Sequence, residues 1–465
     1  LIRLSPPPAR EPVGCGRLRE MATPNQGNPR AEALGLWTLT ALVVGNMIGS
    51  GVFLLPASLA PYGGASFLGW VVTAGGSMAI GLVFARLARR MPAAGGPYAY
   101  TREAFGDFAG FLVGWGYWIS SWSAVAAIAV AMVGYLGALV PAATASPVAA
   151  AASAIVAIVL LTAVNVAGVR QAGIVQLATT VIKILPLLAV ALFGLSRFEV
   201  SHFQPFNPTG GSLFAAVQGC LALTLWAFLG LEAATVPAGD VRDARRTIPR
   251  ATLLGIGIAA TLYIVATGAV MGMVPHEVLA TSTAPFADAA RVLWGSGAGS
   301  LVALGAFVSC FGALNGWILI ASQVPLAIAR HGLFPPAFAR LSPRGTPAFG
   351  LLLSSTLACL LVIANYTKAL VAMFTGMILL STLASLIPFV FCAMADLQIV
   401  VRERTRGGRE PLGRTFGITG IAFGYGLLAT AGAGQETVFW GFLTLLCGIP
   451  FFILTRWRNP SANGV

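Results

Sequence analysis

Three small residues, Gly49, Ser50 and Gly51, lie inside the first long apolar stretch of the chain, where a membrane helix would normally be continuous. Glycine weakens a helix and lets the backbone leave it. Non-helical backbone is tolerated within a bilayer only where it is buried in protein or lines a cavity. A break here would offer N–H groups to a carboxylate and carbonyl groups to an ammonium. The alternative is that Gly45 and Gly49 form a small-xxx-small helix-packing motif.

A second interruption falls in the sixth apolar stretch, where Gly230 and Glu232 follow a run of large apolar residues. Breaks five stretches apart are typical of transporters built from two inverted repeats. Because five is odd, the two halves enter the membrane from opposite sides, and their broken helices meet near the midplane. The sequence therefore predicts a site between the breaks that fits a zwitterion such as an amino acid.

Lys183 and Glu232 are the ionisable residues that the sequence places deep inside apolar stretches. Such residues are costly in a bilayer unless they are paired or face water. A buried lysine can lose its proton, so Lys183 could carry one, or it could be a permanent charge that replaces a bound cation. Glu232 could titrate, gate the pathway or only bond a neighbouring hydroxyl. Asp396, at the end of the tenth stretch, is expected at the cytoplasmic interface.

Trp226 and Trp317 also lie deep in apolar sequence, away from the membrane interfaces where tryptophan concentrates. Packing is the usual role of a buried aromatic side chain. Trp226 directly precedes the second break, however, and could cover a bound solute as a thin gate.

The composition identifies an all-α integral membrane protein. Hydrophobic residues make up 57% of the chain and charged residues 9%, whereas about a quarter of the residues of a soluble domain are charged. About twelve apolar stretches approach the roughly 20 residues that a spanning helix needs. They lie at 37–59, 66–88, 108–139, 147–168, 171–195, 212–237, 251–275, 297–327, 347–364, 369–396, 414–433 and 436–457.

The net charge of +13 is distributed unevenly along the chain. With twelve spans, nearly all of the 28 lysines and arginines fall at the termini or in the loops on their side, whereas Arg197, Arg291 and Lys368 fall on the other. The positive-inside rule then makes both termini cytoplasmic. The basic balance thus indicates topology and anionic lipid, and predicts no nucleic-acid partner.

We expect a single transporter domain over 35–457, with repeats at 35–195 and 212–396 and two further helices at 414–457. Residues 1–34 are expected to be a disordered cytoplasmic N-terminus, of which 1–20 is interpreted as an upstream extension or an expression remnant, and 458–465 a cytoplasmic tail. The six cysteines and three histidines show no metal-ligand spacing, so no metal or cofactor is expected. No set of residues for intramembrane catalysis is recognisable, so an enzyme is disfavoured. A sensor that binds without turnover is the other alternative.

The informative motifs of the chain are Gly45–Phe53 followed by Leu54-Leu55-Pro56, Trp226–Glu232, Ala93–Tyr98, Asp288–Arg291, Gly332–Pro336 and Gly345-Thr346-Pro347. These motifs resemble those of the amino acid–polyamine–organocation superfamily, and the bacterial arginine/agmatine antiporter group most closely. The resemblance runs over nearly all of 35–457.

This resemblance implies a five-plus-five inverted-repeat fold with broken helices 1 and 6, in a bacterial inner-membrane protein that is often a homodimer. It implies that Ser50 and Gly51 bind the α-carboxylate of an amino-acid substrate. The amine would bind carbonyl groups at the breaks, namely those of Met47, Trp226 and Leu229, with Ile48 beside them. The side-chain pocket would be lined by Trp317, Ser120, Ser121, Val125 and Ser381.

The same resemblance implies an outer gate region formed by Tyr117, Glu232 and Phe389. Lys183 is a further candidate coupling residue because of its depth and its ability to lose a proton. The chain departs from the antiporter pattern at four positions. Val125 replaces an amide that helps to hold a guanidinium, Ile128 is apolar, Phe389 replaces a tyrosine, and Lys183 replaces a small apolar residue. A lysine at that position resembles sodium-independent transporters of neutral and cationic amino acids.

We therefore expect a sodium-independent amino-acid transporter that works by alternating access. It would exchange substrate for a counter-substrate or couple transport to protons, with neutral amino acids favoured. The alternative is an arginine/agmatine or polyamine antiporter.

Overall fold

The computed structural model describes residues 35–49, 51–91, 96–168, 184–232, 241, 243–405 and 412–458, and this part of the chain is predominantly helical. Its first α-helices are α1 Leu36–Met47, α2 Gly51–Leu59, α3 Ala65–Arg90, α4 Gly96–Phe105, α5 Asp107–Leu139, α6 Pro147–Ala167 and α7 Ile184–Gly194. The remaining α-helices are α8 Leu213–Trp226, α9 Ala244–Met273, α10 His276–Leu279, α11 Pro285–Trp294, α12 Ser296–Arg330, α13 Ala348–Asn365, α14 Leu370–Thr405, α15 Leu412–Gly432, α16 Gln435–Leu446 and α17 Gly448–Arg458.

The membrane class predicted from composition is confirmed. Among the described residues, nine helices are long and apolar enough to cross a bilayer, or ten if one bent pair counts as a span. Two shorter apolar helices, Leu185–Arg197 and Leu213–Trp226, lie where the fifth and sixth spans are predicted. Those two predicted spans run into 169–183 and 233–240, outside the described residues, so the number twelve stays a prediction.

Both predicted helix breaks are present. The axes of Leu36–Met47 and Gly51–Tyr62 differ by 47°, and Ile48 between them has an extended backbone conformation. In the sixth stretch α8 ends at Trp226, and the chain continues through turns in which Gly230 has φ +98°. That value suits glycine, because its lack of a Cβ removes the steric penalty that other residues meet.

An internal symmetry supports the inverted repeat. Helix α4 leads through Gly106 into the long helix α5, and α11 leads through Gly295 into the long helix α12. The two glycines have nearly the same backbone angles, φ +86° and ψ −177° for Gly106, and φ +87° and ψ −177° for Gly295. The same helix–glycine–helix structure thus occurs once in each half, as expected of a chain built from two structural repeats.

The helices form two groups that pack mainly within themselves. The first helix group contains α1, α2, α3, α8 and α9, and the second contains α5, α6, α12, α13 and α14. Both breaks belong to the first group, so a site at the breaks lies where this group faces the second. Helix α15 packs against α3, α8 and α14 and so contacts both groups.

The two ends of the bundle differ in charge as the topology prediction requires. Ion pairs and ring contacts bring together the ends of α3, α4, α12, α14 and α17 and the start of α5, which we call the arginine-rich end. It carries Arg86, Arg89, Arg90, Arg102, Arg330, Arg402, Arg404 and Arg456. Arg197, Arg291 and Lys368 belong to segments that meet at the opposite end.

Helix α15 is held closely against the first helix group. A Cβ added to Gly432 would lie 1.9 Å from the backbone carbonyl oxygen of Gln218. At mid-height the Tyr425 hydroxyl donates to Thr73 Oγ1 at 3.2 Å, and Thr73 in turn shares a hydrogen bond of 2.6 Å with Thr224. These contacts fix α8 just before its break.

We expect Gly432→Ala to destabilise the protein by about 1–3 kcal/mol, because the new methyl group meets backbone that cannot rotate away. Gly424→Ala is the matched control on the same helix, since nothing lies within 4 Å of the position of its added Cβ. Thermal unfolding in detergent, followed by tryptophan fluorescence, would measure both. Equal melting temperatures for the two variants would contradict the close α15 packing.

Candidate functional site

The two helix breaks touch each other. A Cβ placed on Gly230 would lie 3.2 Å from Asn46 Cβ and 3.3 Å from the Asn46 carbonyl oxygen. A Cβ on Gly51 would lie 2.2 Å from the indole nitrogen of Trp226. A side chain at position 51 would overlap the indole, and one at position 230 would be crowded and strained by the positive φ. The glycines that permit each break therefore also let the two breaks come together. The predicted meeting of the first and sixth stretches is therefore observed.

Hydrogen-bond donors converge at the start of α2. The first N–H groups of a helix have no partners within it, and the helix dipole adds partial positive charge there. In α2 these groups belong to Gly51, Val52 and Phe53, and every residue of the helix is buried. The Trp226 indole N–H lies beside Gly51 and has no hydrogen-bond partner among the described residues. This arrangement suits a carboxylate, although Ser50, predicted to share this role, lies outside the described residues.

The predicted acceptors lie on the other side of the breaks. Met47 ends α1, and Ile48 follows it with its N–H bonded to the Val44 carbonyl. The Trp226 carbonyl accepts the Leu229 N–H at 3.2 Å. A carbonyl oxygen has two lone pairs, so this bond leaves capacity for a substrate ammonium. The side chains of Met47, Ile48, Trp226 and Leu229 are all buried, as expected of a closed site.

The two deep tryptophans form a stacked pair. The rings of Trp226 and Trp317 have centroids 6.4 Å apart and planes 21° from parallel. Trp226 belongs to the second break, whereas Trp317 lies on α12 in the second helix group. The pair therefore bridges the two groups directly beside Gly51, where a moving indole would admit or enclose a solute.

Tyr117 of α5 donates a hydrogen bond from its hydroxyl to Glu232 Oε1, so this pair also links the two helix groups. Glu232 is 4% exposed, and the hydrogen bond is one of the three roles left open for it. The pair lies nearer the arginine-rich end than the opposite end, so its expected outer position disagrees with the prediction that the arginine-rich end is cytoplasmic. Tyr117 lies ten residues into α5, about 15 Å from the arginine-rich end. Helix α8 begins at the opposite end of the bundle, and Glu232 lies beyond Trp226, the last residue of that helix. Phe389 packs on Phe84 near the arginine-rich end of α3.

A cluster of buried serine hydroxyls lies between α5 and α14. Ser120 Oγ is 3.1 Å from Ser381 Oγ and 2.5 Å from Ser385 Oγ, and the Ser381 hydroxyl donates to the Ser120 carbonyl at 2.8 Å. The Ser121 hydroxyl donates to the Tyr117 carbonyl. Sequence reasoning missed Ser385, although its spacing of four from Ser381 places both on one helix face.

An apolar strip lies on the side of α5 that carries Tyr117 and Ser121. Tyr117, Ser121, Val125 and Ile128 recur at spacings of four and three, so they share one side of the helix. Val125 and Ile128 are each 1% exposed. This side of α5 is therefore polar near Glu232 and apolar farther along the helix. At position 125, valine supplies no hydrogen-bond donor or acceptor, whereas an amide side chain would.

Two buried polar contacts that the sequence analysis did not single out support the tryptophans. The Asn165 side-chain amide donates to Asn315 Oδ1 at 2.9 Å, and Asn315 lies two residues before Trp317 on α12. Thr224, two residues before Trp226, bonds Thr73 as described above. Polar side chains inside apolar stretches were the available signal, but their partners lie far away in sequence.

Lys183, the possible metal ligands and the cysteines are the remaining residues of the sequence analysis. Lys183 lies outside the described residues. No group of three or more His, Cys, Asp or Glu residues suited to a metal occurs among the described residues. Cys220, Cys310 and Cys392 are buried, whereas Cys359 is partly exposed and Cys447 is exposed.

Comparison with known proteins shows the relationship directly. Residues 34–437 match the family model described as amino acid permease. The chain is 33% identical over 402 residues to a putative arginine/ornithine antiporter of Bacillus subtilis (strain 168), covering 80% of this chain and 85% of that protein. It is 34% identical over 326 residues to the cadaverine/lysine antiporter of Escherichia coli (strain K12), covering 70% and 73% respectively. It is also 31% identical over 435 residues to the putrescine transporter PotE of the same strain, covering 93% and 98%.

We expect Gly51→Ala to weaken substrate binding at least tenfold, about 1.4 kcal/mol, because its methyl group would occupy the space of the Trp226 indole edge. The double variant Gly51→Ala with Trp226→Leu should bind better than Gly51→Ala alone, since leucine vacates that space. Isothermal titration or thermal shift with the best-binding substrate would measure both.

Gly257→Ala on α9 is the control, because nothing lies within 4 Å of its added Cβ. If Gly51→Ala bound substrate as the unsubstituted protein does, the contact between the breaks would not form part of the binding site.

Proposed function

Since the chain belongs to the amino acid permease family, in the amino acid–polyamine–organocation superfamily, we propose that it is an antiporter that exchanges a basic amino acid for a diamine. It is a multi-pass secondary transporter of the bacterial inner membrane and not an enzyme. The observation that carries the proposal is the chemistry shared by the relatives. Arginine, ornithine, lysine, cadaverine and putrescine, which appear in their names, all carry a cationic amine or guanidinium group.

The comparisons do not support the expected preference for neutral amino acids. That preference rested on Val125, Ile128, Phe389 and Lys183, the positions at which the chain departs from the antiporter pattern. None of these departures removes the acid, Glu232, from the site. The alternative, antiport of a basic amino acid or polyamine, fits the relatives better.

The site can accommodate both partners of such an exchange. An amino acid would place its carboxylate at the start of α2 and the Trp226 indole N–H, and its α-ammonium at the carbonyls of the breaks. Its side chain would extend past Trp317 toward the serine cluster. A diamine has no carboxylate, so it would depend on carbonyl, hydroxyl and carboxylate oxygens alone. Glu232 is the acid near the breaks that either molecule could use.

Val125 favours an ammonium over a guanidinium at the distal end of the substrate. A guanidinium presents five N–H donors in a fixed plane and needs several acceptors, whereas an ammonium is a compact charge with three rotatable donors. The serine hydroxyls supply acceptors, while the strip of Val125 and Ile128 contacts methylene groups. Ornithine or lysine, with the corresponding diamine, therefore fits better than arginine with agmatine.

We expect counterflow in proteoliposomes to be fastest when a diamine such as putrescine or cadaverine is loaded inside and radiolabelled ornithine or lysine is supplied outside. Arginine and agmatine should compete at least tenfold less well, and leucine or alanine should not compete. Saturable exchange of neutral amino acids alone would overturn the proposal. Efficient arginine/agmatine exchange would retain the antiporter and reject the role given to Val125.

Glu232→Gln should reduce diamine exchange at least tenfold, since a charge-assisted hydrogen bond contributes about 1.5–3 kcal/mol and the amide retains size but not charge. Tyr117→Phe is the matched variant, because it removes the bond between the helix groups and leaves the carboxylate. It should change the exchange rate more than the affinity. Kinetics over a range of diamine concentrations would separate the two effects, and unchanged affinity in Glu232→Gln would exclude direct recognition by this acid.

Proton coupling, sodium independence and a homodimeric assembly remain predictions. Lys183 could carry the proton or substitute for a cation. Lys183→Ala distinguishes these roles, since only loss of a proton carrier would make transport independent of pH.

A further inference from the structure

Two arginines and a buried acid join the helix groups at the arginine-rich end. Arg86 Nε lies 3.3 Å from Asp396 Oδ2, and Arg90 Nη1 lies 2.7 Å from Asp396 Oδ1. Arg86 also donates to Thr415 Oγ1 of α15 at 2.5 Å. The side chain of Asp396 is 0% exposed, and those of Arg86 and Arg90 are 13% and 9% exposed. Asp396 was expected at the cytoplasmic interface, and it lies at the arginine-rich end, where it is buried and paired with the two arginines of α3.

An aromatic layer lies next to these ion pairs. Phe84 of α3 packs edge-on against Phe389 of α14 with ring centroids 5.6 Å apart, and Tyr100 of α4 lies 6.5 Å from Phe84. Phe389 and Asp396 are seven residues apart on α14, so they share one helix face. From the site toward the arginine-rich end, α3 and α14 therefore meet first through an apolar layer and then through an ionic one.

Neutral contacts close the opposite end. Ser58 of α2 and Thr375 of α14 share a hydrogen bond of 2.8 Å, and the Tyr135 hydroxyl of α5 donates to the Phe53 carbonyl at 2.7 Å. Contacts between the two helix groups are thus present on both sides of the site. When two rigid groups move around a fixed site, the contacts between them must separate at each end in turn.

We propose that Arg86, Arg90 and Asp396 form a latch that closes the transport pathway at the arginine-rich end and separates when that end opens. In the closed state the pairing satisfies charges that would otherwise be buried alone. In the open state water enters between α3 and α14 and hydrates the same charges, so separation is reversible. The proposal rests on alternating access in this family and is independent of the substrate class.

The chain contains its own reporter of this opening. Cys392 lies on α14 between Phe389 and Asp396, is 0% exposed and donates from its thiol to the Pro97 carbonyl at 3.6 Å. Cys392 lies three residues after Phe389 and four before Asp396 on α14, so it lies between the aromatic layer and the latch on one helix face. A water-soluble thiol reagent can reach Cys392 only if the arginine-rich end opens.

The experiment uses a protein in which Cys392 is the only cysteine, reconstituted in inside-out and right-side-out vesicles. A charged, impermeant maleimide is added, and the modification rate of Cys392 is measured. We expect Asp396→Asn to raise this rate at least tenfold in inside-out vesicles and to leave it unchanged in right-side-out vesicles. In Arg90→Lys, which retains the charge, Cys392 should be modified nearly as slowly as in the protein with the intact latch.

Glu103→Gln is the matched control, because its ion pair with Arg402 is 3.9 Å long, about half exposed and at the same end. It should leave the Cys392 rate unchanged. If Asp396→Asn does not assemble, Arg90→Gln carries the same expectation. Equal modification rates with and without the latch would overturn the proposal. A rise from both sides with a lowered melting temperature would also overturn it, since that pattern indicates general loosening of the fold.

Discussion

The structure depends on the need to satisfy backbone N–H and carbonyl groups inside an apolar medium. A helix meets this need within itself, and each break leaves groups that require another partner. Here the two breaks face each other, with Gly230 against Asn46 and Gly51 against the Trp226 indole. The groups that destabilise each broken helix are therefore concentrated at one place. A substrate with charged ends can supply the missing hydrogen-bond partners. The free energy that the unpaired backbone groups cost the empty protein is then recovered when the substrate binds.

The inverted repeat explains why the breaks meet. The same backbone turn, at Gly106 and Gly295, follows a ten-residue helix in each half and precedes a helix of more than thirty residues. One local structure thus places α4 at the arginine-rich end and α11 at the other. Phe286 of α11 packs on Phe53 of α2, whereas Tyr100 of α4 packs on Phe84 of α3. Each short helix therefore covers the first helix group at its own end of the pathway.

Sequence reasoning succeeded where the signal was local. Glycines within apolar stretches predicted both breaks, and the distribution of arginines separated the two ends of the bundle. It could not predict contacts between residues that are distant in sequence. Asp396 was expected at the cytoplasmic interface, but nothing near it in the sequence indicates its pairing with Arg86 and Arg90, roughly three hundred residues earlier. The outer position implied for the Tyr117–Glu232 pair disagrees with the topology predicted from the arginines, because resemblance transfers residue roles without the direction of the pathway.

The two closures differ in a way that suits their surroundings. Neutral hydrogen bonds at the opposite end, such as Ser58 with Thr375, need little hydration when they separate. An ion pair is stable when buried only if its charges remain paired, and it separates at low cost only into water. The latch therefore favours two states, fully closed or fully hydrated, over a partly open one. Such a preference would keep the arginine-rich end sealed while the site exchanges solute at the opposite end, which is the condition that alternating access requires.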